Sequence, residues 1–448
     1  MNQNRTRLRP PVKSVQLFFF LLCSLVLYSG KLQAQSAQQR ALAQTILSDK
    51  RLDTVYAKAV QLLAKGFAAG DGYPQVWIRD LNTFIETSCQ VYDKAIIRES
   101  LVTFLRLQQP NGEIVDGYVR KGHVTWNDPN IYTSAIDTTH VGFKNTVETD
   151  QETSLIQAIA KYIRTTGDHS ILSEPVDGKT VLQRLELAVE YLLKERYAPR
   201  YGLLKGATTQ DWGDVQIEGG AVVDIDSNTH WCVDPYDNAM FVIALKDLQT
   251  FYPAGAVQQR WEKLEVATAA NIRKYLWDDT HHKLIPHRYL AASPMPKGFD
   301  ENKIFYHGAT AIAIEAGLLS MAEIKSANTR MLDDVKQANA QSIGLTLYPP
   351  YPENTYPSST VNKAYEYQNG GDWTWFGARM IQQLVRYGYV GEAWQELQPM
   401  LTRVLADDTF YEWYTPGGQR RGSAAFKGSA GTLAKAIALL RAWARQQS

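Results

Sequence analysis

Apolar residues recur with helical spacing along most of this 448-residue chain. The pattern predicts twelve helices in near-successive pairs, and several junctions inside the pairs carry helix stops, among them Gly167, Pro253 and Gly388. The predicted helices span residues 38–68, 80–92, 94–109, 149–166, 179–197, 235–252, 256–277, 307–318, 322–340, 371–388, 390–406 and 428–446. No β-rich stretch is long enough for a separate sandwich domain, so the chain is predicted to be all-α.

Four connections between the helix pairs are much longer than the others. They span residues 110–148, 198–234, 278–306 and 341–370, and they are rich in Gly, Pro, Asp, Asn and aromatic residues. Long connections of this kind are usually functional. Six helical hairpins with short loops on one face and long loops on the other describe an (α/α)6 toroid. An α-solenoid is the alternative, but the chain shows no self-similarity at a period of roughly 34 or 40 residues.

The first 34 residues have the features of a secretory signal peptide. Basic residues at positions 5–13 precede an apolar run over residues 15–28, and Ala34 ends a loose small-residue cleavage motif. An uncleaved anchor is the alternative, although the run is short for a membrane-spanning helix. We therefore expect an exported protein, periplasmic or secreted, that keeps no membrane association after cleavage. Residues 35–448 then form a single catalytic domain.

Charge and cysteine content narrow the possible functions. Loss of residues 1–34, which carry five basic and no acidic residues, changes the formal charge from +1 to −4. A mildly acidic surface excludes nucleic acid as a partner, because the phosphate backbone requires clustered Lys and Arg. The two remaining cysteines, Cys89 and Cys232, form either one disulfide or two buried thiols. The oligomeric state is left open.

Carboxylates embedded among aromatic residues are the strongest chemical signal. Asp211-Trp212-Gly213-Asp214 places two acids beside a Trp, and an Asp in such surroundings can be desolvated enough to act as a general acid at neutral pH. An Asp-rich turn is the structural alternative. Glu412 lies in Phe-Tyr-Glu-Trp-Tyr, where aromatic walls hold a carboxylate rigidly, or where it pairs with Arg420 or Arg421.

Three further motifs fit substrate contacts better than proton transfer. Arg79 and Asp80 follow Trp77 at a predicted helix start, where Asp is ordinarily an N-cap. Two similar motifs contain Glu148 and the pair Asp372-Trp373. All five aromatic or acidic motifs stand at the start of an inner helix of the predicted toroid or in the loop before it. Aromatic faces stack on sugar rings and charged groups bind hydroxyls, so the chain is predicted to bind a carbohydrate.

Other chemistries lack their motifs. There is no nucleophile elbow, no phosphate-binding P-loop, no dinucleotide fingerprint and no zinc-protease His pair. Residues 224–228 alternate oxygen ligands as a calcium loop does, but the Gly at the sixth position and the Glu at the twelfth are missing. We expect no metal and no cofactor, with calcium at residues 224–228 as the open alternative.

With these motifs, residues 70–440 resemble the six-hairpin glycosidases. The resemblance is to the group of family 37 trehalases, family 63 α-glucosidases and the amylo-α-1,6-glucosidase domain of debranching enzymes. Residues 145–148 are similar to its N-x-V-D motif, with Glu148 in place of Asp, and residues 369–373 to its N-G-G start of a helix. Residues 212–214 are similar to its W-x-D motif, and residues 410–412 to its F-x-E motif. The aromatic W-S near the last helix is Lys427-Gly428-Ser429 here, and an N-terminal β-sandwich is absent.

The resemblance implies an inverting glycoside hydrolase that acts by a single displacement. Asp214 would be the general acid, in preference to Asp211, and Glu412 the general base that activates water. Their carboxyl groups would then lie roughly 6.5–9.5 Å apart. We expect an α-linked oligosaccharide or glycan attacked from its end, because long loops on one face of the barrel favour a pocket. The identity of the sugar, its anomer and linkage, and exo or endo action are left open. The sugar would be bound by Trp77, Arg79, Asp80, Glu148, Asp211, Trp212, Asp372 and Trp373.

Three alternatives use the same residues differently. A disaccharide phosphorylase on the same barrel would replace the base by phosphate and would not need Glu412. A sugar epimerase would need paired His bases, for which His230, His287 and His307 are the loop candidates. A glycan-binding protein without turnover would keep the aromatic residues and Arg79 but would tolerate loss of Asp214 and Glu412.

Overall fold

The fold is described here from a computed structural model. It covers residues 37–124, 131–219, 222–358 and 361–447, so the predicted signal peptide lies outside the described residues. The chain divides into two compact units. Residues 50–439 form the large unit, and the described residues of the small one are 37–49 and 440–447. The single-domain assignment of residues 35–448 stays a prediction.

Thirteen α-helices lie in the described part of the chain. Residues 37–48 form α1, and the others are α2 (Lys50–Leu63), α3 (Ile78–Ser88), α4 (Lys94–Arg106), α5 (Gln151–Thr166), α6 (Val181–Glu195), α7 (Pro235–Gln249), α8 (Ala256–Leu276), α9 (His307–Glu315), α10 (Met321–Gln337), α11 (Thr374–Arg386), α12 (Val390–Asp407) and α13 (Lys427–Gln447). Each predicted helix is found. The predicted helix at 38–68 is two helices, interrupted at Asp49, a residue type that favours helix ends because its side chain competes for backbone hydrogen bonds.

Local sequence accounts for several of the helix ends. Thr180 is the N-cap residue of α6 and Ser320 is the N-cap residue of α10. Each forms a capping box with the third residue of its helix. Asp234 caps α7, whose first residue is Pro235. Gly167 ends α5 in the left-handed conformation at φ 69°, which a residue without a Cβ adopts readily.

The large unit is a closed ring of helical hairpins. Its inner helices pack in the order α3, α5, α7, α9 and α11, and their outer partners include α4, α6, α8, α10 and α12. The part of α13 before residue 440 closes the ring. Gln382 of α11 donates a hydrogen bond to the carbonyl oxygen of Thr432 (2.8 Å), and Gly431 lies so close to α3 that a Cβ would stand 2.2 Å from that of Phe84. The structure confirms the predicted (α/α)6 fold.

Short strands connect the helices on the face from which the inner helices begin. The largest group is a four-stranded antiparallel sheet. Its strands are Val76–Trp77, Gly117–Arg120, His140–Phe143 and Ile131–Tyr132. Trp77 pairs with Gly117 immediately before α3 begins. The sheet therefore joins the long connection of residues 110–148 to the N-terminal end of an inner helix.

The structure bears on two expectations from the sequence, the state of the two cysteines and the presence of a membrane-spanning helix. Cys89 and Cys232 are free thiols, and Cys232 is fully buried. Within the described ranges, none of the helices combines the length and apolar character needed to span a bilayer.

Candidate active site

A cavity of about 240 Å³ opens where the inner helices begin. Its wall includes the first turns of α3 and α11 and the loops that precede α5, α7 and α13. The lining residues are Tyr73, Trp77, Arg79, Asp80, Asp116, Asn145, Glu148, Trp212, Asp214, Tyr367, Trp373, Trp375, Glu412 and Phe426. Eight of the ten residues that the sequence marked for catalysis or substrate binding are therefore brought together.

Arg79 is the only Lys, Arg or His among the described residues that line this cavity. Its guanidinium contacts three carboxylates: Asp150, Glu148 (3.0 Å) and Asp214 (2.7 Å). Burial by itself lowers the pKa of Arg79, but Asp150 and Glu148 outweigh this effect and raise the pKa well above its ordinary value. Arg79 is a permanently charged centre around which the acids of the cavity are arranged.

Asp214 is held from both carboxylate oxygens. Its Oδ1 accepts a hydrogen bond from Nη1 of Arg79 (2.7 Å), and its Oδ2 accepts one from the hydroxyl of Tyr367 (3.0 Å). Its backbone is fixed as well, because its amide donates to Gln368 (3.0 Å) and its carbonyl oxygen accepts from Asn145 (2.7 Å). The side chain remains 24% exposed, toward the cavity. A rigid carboxyl that reaches the cavity suits proton transfer to a bound substrate.

Glu412 reaches the same cavity from the loop before α13. Its Oε2 accepts a hydrogen bond from the amide of Ser423 (2.7 Å), and Tyr73 also hydrogen-bonds the carboxylate. Burial, with a further contribution from the charge of Asp214, raises the pKa of Glu412 to about 7. Gly422 packs against this side chain at φ +67°, and a Cβ there would lie 2.4 Å from Oε2. The loop therefore needs Gly at 422 to hold the Glu412 carboxylate.

Two more carboxyl groups face the cavity. Burial, followed by the charge of Glu412, raises the pKa of Asp80 well above its ordinary value. Burial also raises the pKa of Asp116 to about 7, although Arg79 opposes the shift. Oδ1 of Asp80 is buried and accepts no hydrogen bond from the described residues. These acids are suited to hydrogen bonds with hydroxyl groups of a ligand.

Aromatic rings form much of the remaining wall. Trp212 and Trp373 meet edge to face with centroids 4.8 Å apart, and Trp212 stacks on Phe376 at 4.7 Å. Trp77 and Tyr73 make another edge contact at 6.4 Å. Such rigid apolar surfaces beside a set of carboxyls match the two faces of a sugar, which offers C–H groups to rings and hydroxyls to acids.

Two predicted binding residues, Asp211 and Asp372, do not line the cavity. Asp211 accepts hydrogen bonds from the amides of Gly308 (2.8 Å) and Ala309 (2.9 Å) in the first turn of α9. Asp372 is fully buried, accepts from Ser342 (2.6 Å) and forms a salt bridge with Arg403 (3.0 Å). Both carboxylates fix loops to neighbouring helices.

The sequence did not mark six of the lining residues. These are Tyr73, Asp116, Asn145, Tyr367, Trp375 and Phe426. Three lie next to a marked motif: Tyr73 precedes Trp77, Asn145 begins the segment of Glu148, and Trp375 follows Trp373. Asp116 and Tyr367 stand inside long connections among other polar and aromatic residues, and nothing local distinguishes them. Only the fold brings them to the cavity.

The alternative centres proposed from the sequence are not assembled at the cavity. His287 pairs with Glu301 (2.8 Å) and His307 with Asp334 (3.2 Å), and both rings are buried away from the lining residues. Asp226, in the calcium-like segment, accepts hydrogen bonds from the backbone and side chain of Asn228. Over the described ranges, no group of three His, Cys, Asp or Glu residues is placed to hold a metal ion.

The fold is similar to that of solved glycosidases. A family 63 mannosylglycerate hydrolase from Thermus thermophilus, in complex with Tris and D-glycerate, superposes with a TM-score of 0.61 at 15% identity, covering 85% of this chain and 99% of that one. The same hydrolase with glucose gives 0.61 and 15% over 86% and 99%. A rhamnosidase from Klebsiella oxytoca with rhamnose bound gives 0.55 and 12% over 86% and 63%. No protein-family model and no curated protein sequence matches the chain. These structures establish the six-hairpin glycosidase fold.

Proposed function

We propose that this chain, which has the six-hairpin glycosidase fold, is an exo-acting glycoside hydrolase that inverts the anomeric carbon of an α-linked oligosaccharide or glycan. The observation that carries the proposal is the meeting of two carboxyls in one cavity. Asp214 arrives from the loop before α7 and Glu412 from the loop before α13, among aromatic rings that fit a sugar. Glycosidic bond cleavage requires such a pair of carboxyl groups.

In the proposed reaction, Asp214 protonates the oxygen that leaves with the aglycone. Glu412 accepts a proton from a water molecule, whose oxygen forms the new bond to the anomeric carbon on the opposite face. The pKa of about 7 makes Glu412 a stronger base than an ordinary carboxylate, and it is ionised above that pH. We expect carboxyl groups separated by roughly 6.5–9.5 Å, because the water must fit between Glu412 and the sugar.

The size of the cavity favours attack at a chain end. A volume of about 240 Å³ equals that of roughly eight water molecules in the liquid, at about 30 Å³ each. This is room for one sugar ring. The structural neighbours are described with glucose or rhamnose bound, each a single sugar. We therefore propose that one terminal residue is bound and released per turnover.

The charge of the cavity favours a neutral sugar. Five carboxyl groups line it, at Asp80, Asp116, Glu148, Asp214 and Glu412, and Arg79 is already paired with three carboxylates. A uronic acid bound here would place a sixth carboxyl beside acids that already repel one another. Two like charges 4 Å apart repel by about 4 kcal/mol at an effective dielectric constant of about 20. A phosphorylase is disfavoured for the same reason, since its phosphate would lack a free cation in the described lining.

Proton NMR of the purified protein with α- and β-linked disaccharides and glycan fragments tests the proposal. We expect the inverted anomer to appear first, from a neutral α-linked substrate. Asp214→Asn and Glu412→Gln are expected to abolish its release, and Glu353→Gln, which changes an exposed acid, serves as the matched control. Retention of configuration would overturn the mechanism. Sugar binding without turnover that survives both substitutions would identify a glycan-binding protein instead.

Export to the periplasm or the medium is part of the same proposal. An extracellular hydrolase would meet glycans directly, whereas phosphorolysis is useful only where sugar phosphates are consumed inside the cell. N-terminal sequencing of the protein from culture fractions is expected to show a chain that begins near residue 35.

A further inference from the structure

We propose that Asp150 and Tyr236 are positioning residues that set the orientation of Asp214 through Arg79. The inference rests on the proposed function, because it assigns a role in the delivery of the proton by Asp214. It concerns residues outside the cavity: neither Asp150 nor Tyr236 lines it, and Asp150 is fully buried.

Asp150 holds Arg79 in one orientation. Its Oδ2 accepts from Nε of Arg79 (2.7 Å) and its Oδ1 from Nη2 (3.0 Å), which is the two-point geometry that fixes a guanidinium plane. The hydroxyl of Tyr236 donates to Oδ2 of Asp150 (2.8 Å). Asp150 and Tyr236 thereby fix the plane of the Arg79 guanidinium from the side that faces away from the cavity.

The fixed guanidinium then holds Asp214. Nη1 of Arg79 donates to Oδ1 of Asp214 (2.7 Å), and Nη2 contacts Glu148 (3.0 Å). An Arg has five N–H donors, and the hydrogen bonds to Asp150 and Asp214 occupy three of them. The main task of Arg79 is therefore to orient carboxylates, and two N–H groups remain for the ion pair with Glu148 and the sugar contact predicted from the sequence.

The position of Asp150 in the sequence supports this role independently. Asp150 is the N-cap residue of α5, where an Asp side chain ordinarily accepts a hydrogen bond from the helix backbone. Its carboxylate makes no such cap. The two oxygens are directed to Arg79 and Tyr236 instead, so the helix forgoes a stabilising cap in favour of the contact with Arg79.

The arrangement serves the moment when Asp214 gives up its proton. The carboxylate that results is met by two donors already in place, Nη1 of Arg79 and the hydroxyl of Tyr367. Donors that need no rearrangement stabilise charge as it develops. Without Asp150, Arg79 is free to rotate, and both the direction of the Asp214 carboxyl and the stabilisation of its charge change together.

Kinetics of Asp150→Asn on two leaving groups test the proposal. On a glycoside with an alcohol leaving group we expect kcat to fall about 10- to 100-fold, with KM within about twofold. On the corresponding glycosyl fluoride, whose leaving group needs little protonation, we expect less than about a threefold loss. Asp214→Asn should show the same dependence on the leaving group more strongly, whereas Glu412→Gln should be slow on both substrates.

Two further variants separate positioning from general damage to the fold. Tyr236→Phe keeps the ring and removes one donor, so it should show a smaller loss with the same leaving-group dependence. Asp247→Asn removes a different buried Asp, paired with Arg164 (2.5 Å) far from the cavity, and should leave kcat unchanged. An equal loss on both substrates for Asp150→Asn would overturn the proposal, as would no loss on either.

A crystal structure of Asp150→Asn decides the inference whether or not the wild-type protein hydrolyses glycosides. We expect the guanidinium of Arg79 to turn and its contact with Asp214 to lengthen beyond hydrogen-bond distance. An unchanged contact between Nη1 and Oδ1 would overturn the inference even if the hydrolase itself is confirmed. A wild-type protein that is inactive on every glycoside, combined with a displaced Arg79, would instead overturn the proposed function alone.

Discussion

The two ends of the inner helices both carry many charged side chains but arrange them in opposite ways. At the N-terminal end, Asp80, Asp116 and Glu412 face the cavity, and none of them forms a salt bridge within the described part of the chain. At the C-terminal end the acids are paired. Glu315 lies 3.0 Å from Arg379, Glu86 lies 2.8 Å from Lys435, and Asp247 lies 2.5 Å from Arg164.

The pKa values of Glu315 and Glu412 follow this difference in pairing. Burial raises the pKa of all these acids, and cations outweigh it at Glu86 and Glu315, whereas the pKa of Asp247 stays raised despite Arg164. Burial is opposed by Arg379 and Lys161 at Glu315, whose pKa falls to about 2. Glu412 has no cation beside it, and its pKa rises to about 7. One end of the same helices pairs its acids with cations, and the other leaves acids with raised pKa values facing the cavity.

Helix dipoles explain how the ring tolerates both arrangements. The positive end of each dipole lies at the helix N-terminus, where the unpaired carboxyls gather, and the negative end lies where the Lys and Arg side chains gather. The last turns of α5 and α11 contain Arg164 and Arg386. Six parallel helices therefore favour acids at one end of the ring and bases at the other.

Removing an acid from the paired end should produce the largest loss of stability. In Glu315→Gln, Arg379 keeps its charge in a buried position without its partner, which typically costs about 3–5 kcal/mol. We expect a fall of this size in the free energy of unfolding, measured with urea at pH 7. Activity per folded molecule should not change. A loss below about 1 kcal/mol would show that water replaces the partner.

The pH dependence of that loss has a definite sign. The pKa of Glu315 is lowered in the folded state, so its stabilising contribution is present above the unfolded pKa of about 4.3 and disappears as the pH falls toward 2. The difference between wild type and Glu315→Gln should therefore shrink when the unfolding is repeated at pH 3.

Removing an acid from the unpaired end should have the opposite effect on stability. The folded pKa of Glu412 is raised, so its contribution is present at low pH and is lost as the pH rises through about 7. Glu412→Gln avoids that loss. We expect the variant to gain up to about 3 kcal/mol at pH 9, at about 1.4 kcal/mol per pKa unit, and nothing near pH 4. Thermal unfolding at both pH values measures the gain, and Glu353→Gln is the exposed control.

A substitution at Gly422 displaces the Glu412 carboxylate without removing it, and so tests whether the position of this unpaired acid matters. In Gly422→Ala the new Cβ would lie 2.4 Å from Oε2 of Glu412, and φ +67° is strained for Ala. We expect kcat to fall about 100-fold, the usual consequence of moving a catalytic group by about 1 Å. Gly417→Ala in the same loop has no neighbour closer than 3.9 Å and should keep wild-type kcat. Equal activities of the two variants would contradict the requirement for Gly at 422.

The smallest effect is expected from a more exposed pair at the stabilising end. The side chains of Glu86 and Lys435 are 28% and 26% exposed. Lys435→Met should therefore lower the free energy of unfolding by only about 0.5–1 kcal/mol. Added salt should reduce this difference, since exposed charges are screened. An effect as large as that of Glu315→Gln would mean that burial does not decide how much these ion pairs contribute to the free energy of unfolding.

The helices and their order were predictable because most of them show helical apolar spacing and several carry a cap or a stop, and both are local features. The motifs around Trp77, Asp214 and Glu412 were also predictable, since each stands at the start of an inner helix or in the loop before it, in a ring of regular form. The roles of these residues in catalysis stay predictions, and so does the single-domain assignment.

The direction of individual side chains was not predictable. Asp211 and Asp214 lie in the same four-residue motif, but Asp211 adopts φ 56° and turns toward the amides of α9, while Asp214 reaches the cavity. Asp372 shares its aromatic surroundings with Trp373 and is nevertheless fully buried. Asp116 was missed because its position depends on the sheet that joins it to Trp77. These outcomes depend on backbone conformation and distant partners, which composition does not encode.

Closure of the ring by α13 has a consequence for how the protein is made. Glu86 and Lys435, which meet where the ring closes, are 349 positions apart in the chain. At about 5–20 residues per second, the ribosome needs roughly 20–70 s to pass from one to the other. During that interval the side of α3 at Phe84 that packs against Gly431 lacks α13 to cover it. The growing chain therefore presents an apolar surface that chaperones are suited to shield until α13 is synthesised and the ring closes.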